Sequence, residues 1–200
     1  MKQKLSRLNR HKMITMYALA LVLWALYALG CAGWDALGFV TGRLHTETLA
    51  LSDLSMQDVV QDGDGRWVTA GGDPQLRLDP GQEVRTVTFA TDAPASGFEG
   101  YYGKAGQDAS LRRRVWAYAS GEGQVTLVFP QGCADVRIDP AGGEGVVLGD
   151  ADAALTLNAP LPLWRYFLPL GEQGLALAVL PGVLAALWDL LEYWAGRLRR

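Results

Sequence analysis

The sequence predicts an all-β antiparallel sandwich of the jelly-roll kind, flanked by an N-terminal and a C-terminal membrane helix. Three observations predict it. Half of the 200 residues are hydrophobic, and the long apolar runs gather at the two ends. Between residues 44 and 158, short β-type runs alternate with turn residues and no helical period is sustained. Charge is split in the same way: 18 of the 21 acids lie between Asp35 and Asp152, whereas eight of the 18 basic residues sit at the two ends. The acidic middle argues against nucleic acid as a partner, because phosphates need a basic face.

The first element is a basic tail, residues 1–12, with Lys2, Lys4, Arg7, Arg10 and Lys12. Residues 13–34 carry no charge, a stretch of 22 residues. As a helix it is about 33 Å long, against a bilayer core of about 30 Å. Cationic flanks stay in the cytoplasm, so the sequence predicts export of the domain C-terminal to this helix, with Tyr17 and Trp34 near the two interfaces. The run is long for a cleaved signal peptide. Ala28-Leu29-Gly30-Cys31 resembles a lipobox in imperfect order, and an uncleaved anchor is preferred over lipidation at Cys31. Residues 35–43 then read as a linker.

The domain at residues 44–160 is expected to hold about nine short strands, at 49–54, 67–69, 75–78, 84–90, 100–104, 115–119, 124–129, 135–138 and 146–157 with a break near Asp150. In 84–89 the apolar residues are out of phase, which predicts a bulge or burial on both faces. Val125, Leu127 and Phe129 share one face. Leu76-Arg77-Leu78-Asp79-Pro80 is echoed by Val136-Arg137-Ile138-Asp139-Pro140, too briefly for a repeat, and suggests topologically equivalent strands. Cys133 reads as a small core residue, and a Cys31–Cys133 bridge is not expected.

After a connector at 161–173, with Trp164, Tyr166 and Phe167 as an outer aromatic belt, residues 174–194 form the last apolar segment. It includes Asp189 and Glu192, which share a helix face and are read as interfacial. A second span is preferred over an amphipathic surface helix, and both termini are expected in the cytoplasm, with Arg197, Arg199 and Arg200 in the tail at 195–200.

No nucleophile elbow, metalloprotease helix, phosphate loop or Cys-x-x-Cys pair is present, so the sequence predicts neither an enzyme nor a cofactor. Asp62-Gly63-Asp64-Gly65 has part of the look of a calcium loop, but Val60 breaks the spacing and a hairpin turn is preferred. His45 reads as a solvated linker residue. Trp67, Tyr101, Tyr102, Trp116 and Tyr118 are candidates to stack on sugar rings, and Arg112, Arg113 and Arg114 to hold a phosphate or anionic glycan. Against this, Trp116 and Tyr118 are two apart, which predicts one shared face and a place in the core. Three arginines also suit a solvated strand edge.

Asp73-Pro74-Gln75-Leu76, the strand at 84–89, Tyr101-Tyr102, Val136-Arg137-Ile138-Asp139-Pro140 with Gly145, and the closing strand at 155–158 resemble the β-sandwich ectodomain of some large bacterial membrane glycosyltransferases and cell-surface polysaccharide proteins. The resemblance covers residues 67–158 and implies a carbohydrate-binding jelly roll. The chain carries no many-span catalytic part, so the resemblance implies an accessory module that binds or positions a glycan or a polysaccharide-assembly protein. A structural subunit of a larger membrane complex is the alternative, with Gly30, Gly33, Ala178 and Gly182 as packing positions.

Overall fold

The computed structural model describes residues 2–91, 93–140, 143–169 and 172–198, with the side chains of 2–10 and 172 outside the description. Asp92, Ala141, Gly142, Arg199 and Arg200 fall outside it. The chain divides into two units, residues 1–35 with 162–200, and residues 36–161.

The first unit is helical. Helix α1 spans Lys2–Thr41, a short α2 spans Leu163–Tyr166, and α3 spans Glu172–Leu198 with Pro181 inside it. Two stretches are long and apolar enough to cross a membrane: His11–Thr41, mean hydropathy 1.9, and Gln173–Leu198, mean hydropathy 2.0. α1 and α3 run antiparallel. Lys12 Nζ meets Asp189 at 2.7 Å and Glu192 at 2.5 Å, Tyr17 donates to the Ala178 carbonyl at 2.7 Å, and Tyr166 donates to Asp35 at 2.9 Å. Both links to the second unit therefore leave from the same end of this hairpin.

The linker expected at 35–43 is helical through Thr41. Asp35 does not end the helix because its carboxylate is buried against Tyr166. The stop comes at Gly42, whose φ of 77° is accessible to glycine at little cost and whose N–H bonds the Phe39 carbonyl.

The second unit is antiparallel β. Its strands are β1 (Glu47–Ala50), β2 (Ser55–Gln57), β3 (Val59–Gln61), β4 (Trp67–Thr69), β5 (Gln75–Leu78), β6 (Thr86–Ala90), β7 (Phe98–Lys104), β8 (Ser110–Trp116), β9 (Tyr118–Gly121), β10 (Gln124–Val128), β11 (Cys133–Pro140), β12 (Val147–Gly149) and β13 (Ala154–Leu157). They form one sheet in the order β1-β13-β6-β10-β9, a second in the order β2-β5-β11-β7-β8, and a small third, β12-β4-β3. Val87, Phe89, Val125, Leu127, Leu155 and Leu157 of the first sheet share one core with Leu76, Leu78, Phe98, Val136 and Ile138 of the second. That shared core makes the two five-stranded sheets a sandwich.

β6 is the middle strand of the first sheet, paired on both sides without a register shift. Its out-of-phase residues reflect burial on both faces: Thr86 and Val87 are both buried. The echoed pentapeptides become β5 and β11, which are direct neighbours. Leu78, Arg77 and Leu76 pair with Val136, Arg137 and Ile138 in turn. Phe129 packs close under Gly100, where a β-carbon would come within 2.9 Å of its ring, so β7 carries a glycine there.

Candidate functional site

Alternation along β5, β11 and β7 sends the leucines, Val136, Ile138 and Phe98 inward and leaves Arg77, Arg137 and Tyr101 on the outer face. The register then lays one row across all five strands: Ser55, Arg77, Arg137, Tyr101 and Arg114. A second row joins Asp139, Glu99 and Trp116. Directly opposed residues lie about 4.5–5.5 Å apart at Cβ, so each row is one continuous strip of side chains.

These side chains form a joined network. Arg137 grips Asp139 with Nε at 2.6 Å and Nη2 at 2.5 Å, and reaches Asp73 at 3.2 Å. Its guanidinium lies 5.5 Å from the Tyr101 ring centroid. The Tyr101 hydroxyl donates to Glu99 at 2.6 Å, and Glu99 accepts a longer bond from Arg114 at 3.5 Å. The hydrogen bond to the Glu99 carboxylate, together with burial, raises the phenol pKa above its usual value. Gln75 donates to Asp73 at 2.5 Å and accepts from Arg77 at 3.2 Å. Arg114 stacks 4.5 Å from the Trp116 ring centroid, and Trp116 itself is 55% exposed. A lateral cleft of about 550 Å³ adjoins the Arg77 end, with Glu47, Asp53, Asp79 and Asp135 in its lining beside the apolar Leu49, Leu54, Leu78 and Pro80.

The structure gathers some of the expected residues and disperses others. Tyr101, Trp116 and Arg114 come together, and Arg112 and Arg113 lie on the same edge strand, β8. Trp116 and Tyr118 do not share a face. The chain breaks at Ala117, so Trp116 closes β8 of the second sheet while Tyr118 opens β9 of the first. Trp116 is consequently not a core residue. Tyr102 points inward and meets Phe129 edge-on, 6.2 Å between centroids. Trp67 packs against the core from the small third sheet, with its indole N–H buried and unpartnered.

Arg77, Arg137, Asp73, Gln75, Asp139 and Glu99 were not singled out by sequence reasoning. The signal for Arg77, Arg137 and Asp139 was the echoed pentapeptide, in which the arginine holds the polar phase of an apolar strand; Asp73, Gln75 and Glu99 lie outside it. Asp62 is committed to a turn: its carboxylate accepts the N–H groups of Asp64 and Arg66 at 2.9 Å and the Arg66 guanidinium at 2.8 Å, which holds its pKa down. His45 lies exposed, 3.7 Å from Glu47. Among the described residues no group of three or more His, Cys, Asp and Glu is gathered as a metal would need. Neither cysteine forms a disulfide. Cys31 lies within α1, and burial pushes the Cys133 thiol up to about 12.

No family model matches the chain and no curated protein matches it. Solved structures align to part of it. A low-affinity xylan-binding module, CBM86, from Roseburia intestinalis is 18% identical, covering 57% of this chain and 91% of that one, with a TM-score of 0.33. A β-1,3-glucan-binding CBM6 from Bacillus halodurans is 17% identical over 56% and 96%, TM-score 0.34. A CBM32 module from Clostridium perfringens, solved with GalNAc-β-1,3-galactose, is 15% identical over 59% and 96%, TM-score 0.33. The sandwich assignment rests on strand pairing and the shared core.

Proposed function

We propose that this protein is a membrane-anchored, extracytoplasmic, non-enzymatic module that binds a glycan on the outer face of the sheet β2-β5-β11-β7-β8. The carrying observation is Trp116. It is the one exposed large aromatic among the described residues of the sandwich unit, and it sits beside Glu99, Arg114, Tyr101, Arg137 and Asp139. A sugar ring has apolar C–H faces and a hydroxyl rim; an exposed indole takes the first and a charged, pre-bonded fringe takes the second. The anchor is the α1–α3 hairpin. Lys12 lies level with Asp189 and Glu192, where the uncharged run of α1 begins, and this supports a headgroup depth for these carboxylates. The basic residues at both chain ends favour the cytoplasm for that end of the hairpin and export for the sandwich.

The test is a glycan array probed with the full chain in nanodiscs. Trp116→Ala is expected to lose about two- to tenfold in affinity, the scale of a lost aromatic contact, with an unchanged circular dichroism spectrum. Absence of binding by the wild-type chain to any glycan overturns the reading. One observation favours a second reading, a structural subunit of a larger membrane complex. An apolar groove of about 470 Å³ runs between α1 and α3, lined by Met16, Trp24, Tyr27, Leu177, Pro181 and Leu184. That reading requires a partner whose copurification is lost when Leu177 and Leu184 are changed to Trp.

A further inference from the structure

We infer that the glycan taken by this face is anionic, and that its carboxylate or phosphate groups are read by the arginines of edge strand β8. The inference rests on the glycan reading and names the ligand class. It begins from how the guanidinium groups of the sandwich unit are neutralised. Arg66 is held by Asp62 and Asp64, Arg137 by Asp139 and Asp73, and Arg43 by Glu83. β8 departs from this pattern. Arg113 bonds the neutral amide of Gln107 at 2.6 Å. The exposed Arg112 side chain has no carboxylate partner among the described residues. Arg114 has one, Glu99, at a loose 3.5 Å. Arg77, on the same outer face, donates to the amide of Gln75 and lines the cleft that also holds Glu47, Asp53, Asp79 and Asp135.

Among the described residues, the arginines of β8 thus lack a close carboxylate partner, and the same strand ends on the exposed indole of Trp116. Arg114 lies 4.5 Å from the Trp116 ring centroid, so an anionic substituent bridging to Arg114 is within reach of a sugar stacked on Trp116. Guanidinium matches carboxylate and phosphate through paired N–H bonds, which lysine cannot reproduce. Protection of a sheet edge needs charge but no ligand. The two accounts therefore differ in the response they predict to an added anionic polymer.

The experiment uses the full chain in phosphatidylcholine nanodiscs. The probes are polygalacturonate, its methyl ester, poly(glycerol phosphate), and a single-stranded oligonucleotide as an unrelated polyanion. Polygalacturonate or poly(glycerol phosphate) is expected to bind at least about tenfold tighter than the uncharged methyl ester. Which of the two is preferred separates carboxylate from phosphate. Binding should weaken at least about tenfold between about 0.1 M and about 1 M salt, as the screening length falls from about 10 Å to about 3 Å. Arg112→Gln with Arg114→Gln should abolish the preference. The corresponding Lys pair should keep the salt dependence with reduced affinity, and circular dichroism should show both variants folded.

Equal binding of the methyl ester, or binding to array glycans that is indifferent to salt and to the Gln pair, overturns this inference and leaves glycan binding standing. Tightest binding to the oligonucleotide overturns it in favour of a nucleic acid. No binding to any polymer or array glycan overturns both readings.

Discussion

Asn158 lies where the last strand leaves the sandwich, fully buried and with a backbone φ of 52°. Its Oδ1 accepts the Arg85 N–H at 2.7 Å, and its Nδ2 donates to Gln82 at 2.9 Å and to the Glu83 carbonyl at 2.8 Å. Asn158→Ala leaves the buried Arg85 N–H without its acceptor and the half-buried Glu83 carbonyl without its donor, whereas Gln82 keeps the His45 N–H; each unsatisfied group costs about 1–3 kcal/mol. A total near 3 kcal/mol is expected in urea unfolding of the full chain. Asn158→Gly should lose the same bonds but tolerate the left-handed backbone, and so recover about 1 kcal/mol. Sequence spacing gives no sign of this role, because the partners lie more than 70 positions away.

Cys133 is a second residue-scale case, and its place in the core was legible from its type alone. Its thiol is raised to about 12 from 9.0, mainly by desolvation. A raised folded-state value gives stability that is complete below pH 9 and drains away as pH climbs towards 12, because only the unfolded chain ionises readily there. Native protein at pH 8.5 should leave Cys133 unlabelled by a thiol reagent, with labelling appearing in denaturant. Labelling of folded protein at the unfolded rate contradicts the burial.

At the scale of elements, β5 and β11 place Arg77 directly across from Arg137. Like charges opposed across a pair of strands are unfavourable, and here Asp139 and Asp73 offset the repulsion. Asp139→Asn is expected to cost about 1–2 kcal/mol, and less in an Arg77→Gln background. In the double-mutant cycle that compares them, the double mutant should lose less than the sum of the two single losses by at least about 0.5 kcal/mol. Simple additivity would mean that the arginines do not feel each other.

Legibility also varied by element. β4 and β5 fall on residues 67–69 and 75–78 as their alternation indicates, because turn residues bound them tightly. β2 and β3 were missed: residues 55–61 are short, half polar and lack a regular phase. The run at 115–119 reads as one strand because alternation continues through it, whereas the chain changes sheets at Ala117. Sheet membership is decided by long-range pairing, which spacing does not carry. The same gap hid the outer-face site, whose residues come from β5, β7, β8 and β11 and meet only once register is fixed.

For the whole molecule, the decisive structure is the helical hairpin, since its ends determine where everything else is. Lys12 holds two carboxylates, Asp189 and Glu192, and it does so where the uncharged stretch of α1 begins. Lys12→Leu removes the only cation that either acid contacts among the described residues; in the proposed anchor this leaves two uncompensated negative charges at the membrane boundary, where ionised groups are costly. The antiparallel register should then loosen. Tyr17 and Gly182 face each other, with the tyrosine hydroxyl 3.6 Å from a β-carbon built at the glycine. Cysteines at these two positions, with Cys31 and Cys133 replaced, report that register in membranes when bridged by a bifunctional thiol reagent that spans the space the tyrosine ring fills, since a direct disulfide needs β-carbons about 4 Å apart. The yield should fall severalfold in Lys12→Leu and recover when Asp189→Asn and Glu192→Gln are added, because the neutral triple no longer needs the cation. Protease added outside intact cells should, in the same preparations, cut within residues 36–161 and spare both termini. If the termini are cut while the sandwich survives, the orientation is reversed and the ligand must be sought in the cytoplasm. If the cross-link is indifferent to Lys12, the hairpin is held by its apolar packing and by the Tyr166–Asp35 bond, and the acids of α3 are free to serve another partner.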